Sequence, residues 1–364
     1  MGLTCGIVGL PNVGKSTIFN ALTNAGAQVA NYPFCTIDPN VGIVPVPDKR
    51  LQDIALLIKP EKIVPNTLEV LDIAGLVKGA SQGEGLGNKF LSHIRQVHAI
   101  LHVIRSFKDD DVVHVSGTVD PKRDIETIHT ELALSDLESV TKRMERNEKL
   151  LKGPNKEAKA EQEVLAIVKQ GLNQGTMVRN LGLNADQEVL IQELNLLTSK
   201  PVLYVVNVSE EEILKDSSYV TQVKELAQSE GAEVVKICGK IESEIVALPE
   251  NEREDFLKDL GISEPGLHQL IRSSYKLLNL ISFFTAGPKE VKAWTIRKGT
   301  KAPQAAGVIH SDFERGFICA EVYHYDDLMK YKSEAEIKSK GLLRLEGKNY
   351  EMRDGDIVVF RFNV

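Results

Sequence analysis

The sequence predicts an α/β protein with a doubly wound parallel sheet, a helical hairpin inserted into that sheet, and a smaller α+β unit at the end. Short apolar segments alternate with helical patterns along the chain, which is the arrangement of successive βαβ units. A glycine-rich turn follows the first apolar segment and leads into a helix. A long charged stretch of helical periodicity lies between two of the apolar segments and predicts the hairpin.

The elements predicted for the sheet follow one another as strand, helix and strand. The predicted strands are 4–8, 67–72, 99–104, 201–207 and 233–237, and the predicted helices begin at 15 or lie near 86–96, 220–228 and 267–279. In a doubly wound sheet, a ligand binds at the carboxyl ends of the strands. We therefore expect functional residues directly after these strands.

The stretch 120–199 interrupts this alternation with long helical patterns. Asp120 followed by Pro121 predicts a helix start, because a carboxylate caps free N–H groups and proline fits the first helical position. The break at 153–155 separates two apolar stripes, which predicts an antiparallel hairpin of the coiled-coil type. Asn184 followed by Gln187 predicts the cap of a third helix over 185–197.

The tip of the hairpin is basic. From Lys142 to Lys159 there are five Lys and two Arg against three Glu, on a chain whose net charge is −7. Two interpretations stay open, a helix tip exposed to solvent and a contact with RNA phosphates. Because the whole chain is acidic, any RNA contact needs a local basic patch of this kind.

A third unit begins near Ile281. Strand patterns at 283–286, 291–296, 317–323, 342–345 and 357–362, with helical patterns at 302–310 and 333–339, predict a small α+β domain with a mixed sheet. The predicted domains are the sheet domain over 1–119 and 200–280, the hairpin over 120–199, and the α+β domain over 281–364.

The composition of the chain indicates the cellular compartment in which the protein is expected. No run of about 18 apolar residues occurs, so no transmembrane helix and no membrane partner are expected. The four cysteines (Cys5, Cys35, Cys238 and Cys319) form no metal-ligand pair, which is typical of a reducing cytoplasm. We therefore expect a cytoplasmic protein.

Residues 9–16 carry the main functional signal. They fit the pattern G-x-x-x-x-G-K-[ST] of the phosphate-binding P-loop, between a predicted strand and a predicted helix. The motif predicts that backbone groups cradle a nucleoside triphosphate, that Lys15 bridges the β- and γ-phosphates, and that Ser16 holds Mg²⁺. The predicted nucleotide-binding residues of this loop are Asn12, Val13, Gly14, Lys15, Ser16 and Thr17. The fold class is thus that of a P-loop NTPase.

The positions of Thr36 and Asp72 in the sequence predict two further Mg²⁺ ligands. Thr36 is the single Ser or Thr between Thr23 and Thr67, which makes it the candidate hydroxyl of a switch loop. Asp72 ends a predicted strand and begins Asp72-Ile73-Ala74-Gly75, which is typical of a Walker B acid followed by a glycine that senses the γ-phosphate.

The residue after Gly75 is Leu76, which cannot orient water as the glutamine of Ras-like enzymes does. Slow unassisted hydrolysis is therefore expected. Asn12 is a candidate to hold a monovalent cation, K⁺, beside the phosphates. His114, in a polar loop, is a candidate to position the attacking water.

The predicted base-recognition segment is Asn207-Val208-Ser209-Glu210, where GTPases have N-K-x-D. Val208 cannot lay an alkyl-ammonium stem over the base, and the longer side chain of Glu210 moves its carboxylate by about 1.5 Å. A site whose acceptors are displaced loses its discrimination for guanine. Adenine, contacted by the backbone around Val208, becomes the alternative, with residues 237–240 on the other side of the base.

Taken together, these motifs resemble the YchF/Obg-like ATPases, a family within the Obg-related translation-factor GTPases. The resemblance covers nearly the whole chain and is carried by residues 9–17, 31–36, 72–80, 83–90 and 207–210. It implies an OBG-type G domain with the hairpin, a C-terminal TGS-type domain, and a monomer that needs Mg²⁺ and prefers ATP to GTP.

The resemblance also implies association with the ribosome or one of its subunits, with rRNA contacts through the hairpin, the TGS-type domain or both. It matches His114 to a loop histidine implicated in hydrolysis. Members of the family are linked to oxidative stress, and Cys35, beside Thr36, is the position where oxidation would act. The alternative for Cys35 is a half-buried small residue without a redox role.

Two other functions use the same motif. A small-molecule kinase needs an acceptor pocket and an arginine-rich lid, yet residues 28–47 contain no arginine. A scaffold that binds RNA and holds ATP as a structural ligand would release no phosphate.

Overall fold

The computed structural model describes residues 3–29, 41–73, 86–108 and 117–363. In these residues the strands are β1 (Thr4–Val8), β2 (Val41–Pro45), β3 (Lys62–Val64), β4 (Thr67–Asp72), β5 (Ala99–Arg105), β6 (Val202–Asn207), β7 (Glu233–Ile237), β8 (Leu280–Ala286), β9 (Glu290–Arg297), β10 (Phe317–His324), β11 (Arg344–Glu346) and β12 (Asp356–Phe362). The helices are α1 (Lys15–Val29), α2 (Lys49–Ile58), α3 (Leu86–Gln96), α4 (Pro121–Leu150), α5 (Lys156–Asn173), α6 (Ala185–Ile191), α7 (Ser218–Glu230), α8 (Gly239–Ala247), α9 (Glu250–Asp259), α10 (Gly266–Leu277), α11 (Ala302–Ile309), α12 (Ser311–Arg315), α13 (Tyr325–Tyr331) and α14 (Glu334–Ser339).

The first sheet has six strands in the order β2-β4-β1-β5-β6-β7. Strand β1 pairs in parallel with β4 on one side and with β5 on the other, and β6 and β7 continue the parallel pairing. The order of strands therefore reverses at β1, which is where ligands bind in open α/β sheets. The predicted doubly wound sheet is confirmed, with the P-loop directly after β1.

The hairpin forms where the sequence predicts it. The Asp120 side chain accepts from the backbone N–H of Arg123 at 3.1 Å, with proline in the first turn of α4. Asn155 caps α5 through the N–H of Ala158 at 3.0 Å. Apolar residues of α4 and α5 pack in one core cluster that includes Val140, Val164, Leu165, Val168 and Leu172. The hairpin is therefore a packed pair of helices.

The third predicted helix is shorter than expected. The capping box of Asn184 and Gln187 is present, but α6 ends at Ile191 rather than at 197. Asn195 takes a left-handed conformation with φ of 45°, and the N–H groups of Leu197 and Thr198 donate to Asp136 at 2.9 and 2.8 Å. These backbone groups bind a carboxylate of α4 instead of continuing the helix.

The second sheet is mixed, as predicted for the C-terminal domain. Its order is β11-β10-β12-β8-β9-β3, with parallel pairs β12–β8 and β9–β3 and antiparallel pairs elsewhere. Its core holds Phe283, Ile296, Ala305, Val322 and Val358.

The chain separates into two compact units. Unit 1 comprises Met1–Ile43 and Glu69–Ser274, and unit 2 comprises Val44–Leu68 and Tyr275–Val364. The sequence did not predict that Val44–Leu68 groups with the C-terminal residues. The division into three domains stays a prediction.

Candidate nucleotide site

The P-loop lies between β1 and α1, and two of its glycines leave no room for a side chain. A Cβ on Gly14, which has φ of +96°, would lie 2.2 Å from Nδ2 of Asn207. A Cβ on Gly9 would lie 2.5 Å from the carbonyl oxygen of Val103. Asn12 has φ of 62°, a left-handed conformation that asparagine tolerates better than most residues. The turn therefore requires the glycines of the motif.

Lys15 begins α1, and its side chain folds back over the P-loop. Its Nζ donates to the carbonyl oxygen of Leu10 at 2.8 Å, and the residue is only 8% exposed. Burial lowers the pKa of Lys15 from 10.5 to about 8, although the nearby Asp72 carboxylate opposes this shift. An anion bound here would stabilise the ammonium form, so the position suits a phosphate.

Ser16 and Asp72 bring two oxygen atoms together beside the P-loop. Ser16 Oγ donates to Asp72 Oδ2 at 3.5 Å, while Oδ1 of Asp72 is buried and has no hydrogen-bond partner within the described ranges. Burial raises the pKa of Asp72, and the Lys15 charge and the Ser16 bond lower it in part. Mg²⁺ prefers oxygen ligands and one or two carboxylates, so an unpartnered carboxylate oxygen beside a serine hydroxyl fits this ion.

Asn207, at the end of β6, holds the P-loop and the start of α8 together. Its Nδ2 donates to the carbonyl oxygen of Val13 at 3.0 Å, and its Oδ1 accepts from the N–H of Gly239 at 3.0 Å. Thr17 is close to the same place, because a Cβ on Gly239 would lie 3.4 Å from its methyl carbon. Six predicted residues, 12–16 and 207, therefore share one location, and Thr17 lies at its edge.

The backbone N–H of Val208 is already engaged. It donates to the carbonyl oxygen of Ile237 at 2.9 Å, and Val208 is buried. This N–H is therefore not available to a purine. The predicted backbone contacts with the base would have to come from other N–H and C=O groups around Val208. Residues 237–240 also differ from the predicted loop, since α8 begins at Gly239.

Glu210 carries a charge partner that sequence reasoning missed. Its Oε1 lies 2.6 Å from Nζ of Lys240, across the gap between the segment after β6 and the first turn of α8. Lys240 was predicted only as part of the companion loop. No sequence signal links the two residues, because the contact depends on how β6 and β7 align.

Two predicted site residues lie outside the described residues, Thr36 as a metal ligand and His114 as a catalytic residue. The same holds for Gly75, Leu76 and Cys35. Their roles stay predictions.

A buried polar cluster beside β6 was also not predicted. The hydroxyl of Tyr204 donates to Oε2 of Glu230 at 2.7 Å and lies 3.2 Å from Nε2 of His129. Nη2 of Arg179 lies 3.2 Å from the same Glu230 oxygen. Burial is the main cause of the lowered pKa of His129, which falls to about 4. The cluster joins α4, β6 and α7. None of its four side chains belongs to the P-loop, so we assign it a structural role.

Two kinds of feature are absent from the described part of the chain. No group of three or more His, Cys, Asp or Glu residues is placed to hold a metal ion there. None of its helices is long and apolar enough to cross a membrane.

Comparisons with known proteins identify relatives along the whole chain. Residues 4–137 match a family model described as MMR_HSR1, 50S ribosome-binding GTPase, and residues 280–363 match one described as YchF-GTPase_C, protein of unknown function. The chain is 57% identical to the ribosome-binding ATPase YchF of Bacillus subtilis (strain 168) and 52% identical to that of Escherichia coli O157:H7. In both cases the match covers 100% of this chain and 100% of the relative. A solved structure, that of the Schizosaccharomyces pombe YchF GTPase, matches with a TM-score of 0.90 and 43% identity, over 99% of this chain and 98% of that one.

Proposed function

The chain belongs to the YchF family, and from this premise we propose that it is a Mg²⁺-dependent ATPase that binds ribosomes and prefers ATP to GTP. The observation that carries the proposal is the P-loop of residues 9–16, with Lys15 held over it. It lies in a chain that aligns from end to end with proteins named ribosome-binding ATPases. A cytoplasmic location accompanies this proposal, because ribosomes are the proposed partner.

The triphosphate is proposed to bind against the P-loop backbone and the positive end of the α1 dipole. Lys15 would exchange its bond with the Leu10 carbonyl for bonds to the β- and γ-phosphates. Its lowered pKa supports this exchange, because a partly buried ammonium gains more from an anion than a solvated one does.

Ser16 and Asp72 are proposed to hold Mg²⁺, with Thr36 as the switch-loop ligand. When bound, this ion neutralises charge that develops on the β- and γ-phosphates. The support is the oxygen donor set of Ser16 and Asp72, including the buried Oδ1 that lacks a protein partner in the described residues. Asn12 is proposed as the ligand of K⁺, supported by its place in the loop and its left-handed backbone.

The preference for ATP is proposed to arise at Asn207, Val208 and Glu210. The names of the relatives leave the base open, since the Bacillus subtilis protein is called an ATPase and the Schizosaccharomyces pombe structure a GTPase. The support is chemical: Glu210 is longer than aspartate and is bound by Lys240. Guanine needs free acceptors at this place.

His114 is proposed to position the attacking water, since the Leu76 side chain cannot hydrogen-bond to water.

Ribosome contact is proposed at the hairpin tip, the C-terminal TGS-type domain, or both, and the chain is proposed to bind as a monomer. Two of the seven basic tip residues are engaged by acids, Lys142 by Glu138 and Arg143 by Glu161 and Glu193. The other five (Arg146, Lys149, Lys152, Lys156 and Lys159) have no ion pair in the described ranges, so their charges are available to phosphates.

A response to oxidative stress through Cys35 has only the family resemblance as support.

The test is phosphate release from ATP, with and without ribosomes, for the wild type and His114→Ala in K⁺ buffer. We expect slow release alone, faster release with ribosomes, and loss of the faster rate in the variant without loss of ATP binding. Equal rates in all four conditions would contradict both the partner and the role of His114. Phosphate appearing on an added metabolite would indicate a kinase, and no release at all would indicate a scaffold.

The contribution of the hairpin is separable in the same assay. Changing Lys149 and Lys152 to Glu should weaken ribosome binding and reduce the stimulated rate, because both side chains are exposed at the tip. The same reversal at Lys215 and Lys258, exposed elsewhere in unit 1, is the control. Equal binding by both double variants would exclude the tip as a contact.

A further inference from the structure

Three contacts join residues 207–210, at the end of β6, to residues 237–240, at the end of β7 and the start of α8. The N–H of Val208 donates to Ile237, and the N–H of Gly239 donates to Asn207. Farther out, Lys240 Nζ lies 2.6 Å from Glu210 Oε1. The first two contacts are buried, whereas Lys240 is 71% and Glu210 48% exposed. The ion pair is therefore the outermost link of the segment where a purine is proposed to bind.

The location of Lys240 is electrostatically unfavourable by itself. It occupies the second position of α8, where the N–H groups of the helix start disfavour a cation. Glu210, which is distant in sequence, offsets this by providing the opposite charge, and its hydrogen bond is the main cause of the raised pKa of Lys240. Other exposed pairs, such as Lys258 with Glu254, lie within one helix at the common spacing of four residues.

The chemical consequence concerns the free acceptors of Glu210. Guanine presents an N1–H and an amino group, both donors, whereas adenine presents an N1 acceptor beside its amino group. An ionised carboxylate only accepts hydrogen bonds, so a free one favours guanine. A carboxylate that is already bound by an ammonium has one oxygen engaged and its charge offset.

We propose that Lys240 is a specificity-determining residue of the nucleotide site, which disfavours guanine by occupying the Glu210 carboxylate. This inference rests on the proposed function, since it requires a purine beside residues 207–210. Lys240 acts through Glu210 rather than by direct contact with the reacting phosphates. Its effect is modest, because the pair is exposed and one oxygen of Glu210 stays available. Exposed pairs contribute up to about 1 kcal/mol, which corresponds to about fivefold in affinity.

The test is equilibrium binding of ATP and of GTP to the full-length chain. The readout is the ratio of the two dissociation constants, because contributions of the shared triphosphate cancel in it. In Lys240→Met we expect GTP to bind about three- to fivefold more tightly, with ATP within about twofold of the wild type. Lys240→Arg keeps a cation opposite Glu210 and should keep the wild-type ratio. Adding Glu210→Gln to Lys240→Met should remove the gain in GTP affinity.

Lys258→Met is the matched control, because it removes an exposed lysine from an ion pair with Glu254 within helix α9. Lys240→Gln repeats the test with a polar side chain if the methionine variant is poorly folded. A ratio that stays within about twofold of the wild type in both uncharged variants overturns the inference, as does a gain that survives Glu210→Gln. Wild-type protein that binds neither nucleotide refutes the proposed function, whereas tight ATP binding with an unchanged ratio refutes only the role of Lys240.

Discussion

Lys15 combines two properties that are usually separate. It is a cation that the P-loop motif requires, and it is largely buried against a backbone carbonyl. Desolvation disfavours its charged form and brings its pKa down to about 8, within reach of ordinary experiments. The charge on Lys15 therefore depends on pH in the free protein, and an anionic ligand stabilises it.

We predict that ATP affinity falls as the pH rises from 7 to 9. Near pH 9 about nine-tenths of the free protein would carry a neutral Lys15, so the dissociation constant should rise about tenfold. The phosphates themselves are ionised throughout this range. Fluorescence or calorimetric titration at several pH values measures the effect.

Lys15→Arg is the matched control, since its guanidinium does not titrate in this range. We expect weaker binding by the variant at pH 7, with an affinity that stays nearly constant to pH 9. If the wild type and the variant show the same slope, Lys15 is not the titrating group.

The residues of the site divide according to how far apart their partners are in the chain. Gly14, Lys15 and Ser16 were predictable because their spacing is local, and Asp72 because it ends an apolar strand. The pairing of Glu210 with Lys240 and the cluster around Tyr204 and His129 were not predictable. These contacts arise only after strands and helices align in three dimensions, and no spacing rule encodes them.

The same distinction holds for whole elements. The bounds of β1, β4, α3 and β7 match the predicted ranges, because each is an apolar or amphipathic segment with clear ends. Helix α9 was missed because none of its residues is buried, so it has no apolar stripe to detect. Helix α2 was missed although it has buried residues, since no element was predicted between the candidate switch loop of residues 28–47 and the strand that begins at 67.

One contact between helices has a measurable consequence. Glu242 of α8 is fully buried and accepts from the N–H groups of Gly266 and Leu267, at 2.7 and 3.4 Å, at the start of α10. Burial raises its pKa from 4.5 to about 7, and the two backbone bonds reduce the shift. The folded protein thus binds this proton more tightly than the unfolded chain.

We predict that the contribution of Glu242 to the free energy of unfolding is full below pH 4.5 and declines as the pH rises through 7. The loss should approach about 3 kcal/mol, at about 1.4 kcal/mol for each unit of pKa. Glu242→Gln has the same shape and does not titrate, so the difference between the two proteins isolates this group. Urea unfolding at pH values from 4.5 to 8 measures it, and parallel curves would contradict the assignment.

At the scale of the molecule, unit 2 is assembled from two separate parts of the chain. Helix α2 and strand β3 come from Val44–Leu68, whereas the other strands of the second sheet follow Tyr275. Leu51 and Ile54 of α2 are fully buried in a cluster with Phe284, Val291 and other residues of the C-terminal part. The core of unit 2 is therefore not formed by one continuous stretch of the sequence.

We predict that Leu51→Ala destabilises unit 2 by about 2–5 kcal/mol, the usual loss for a buried leucine that leaves a cavity. Hydrogen exchange of the full-length chain should show faster exchange in β8, β9 and β12, while β1 and β5 of unit 1 keep their protection. Leu56→Ala is the matched control on the same helix, because Leu56 is 73% exposed and its loss should change stability by no more than about 0.5 kcal/mol. Equal exchange in the two variants would show that α2 does not belong to the core of unit 2. Faster exchange spread evenly over both units would show instead that the chain unfolds as one cooperative body.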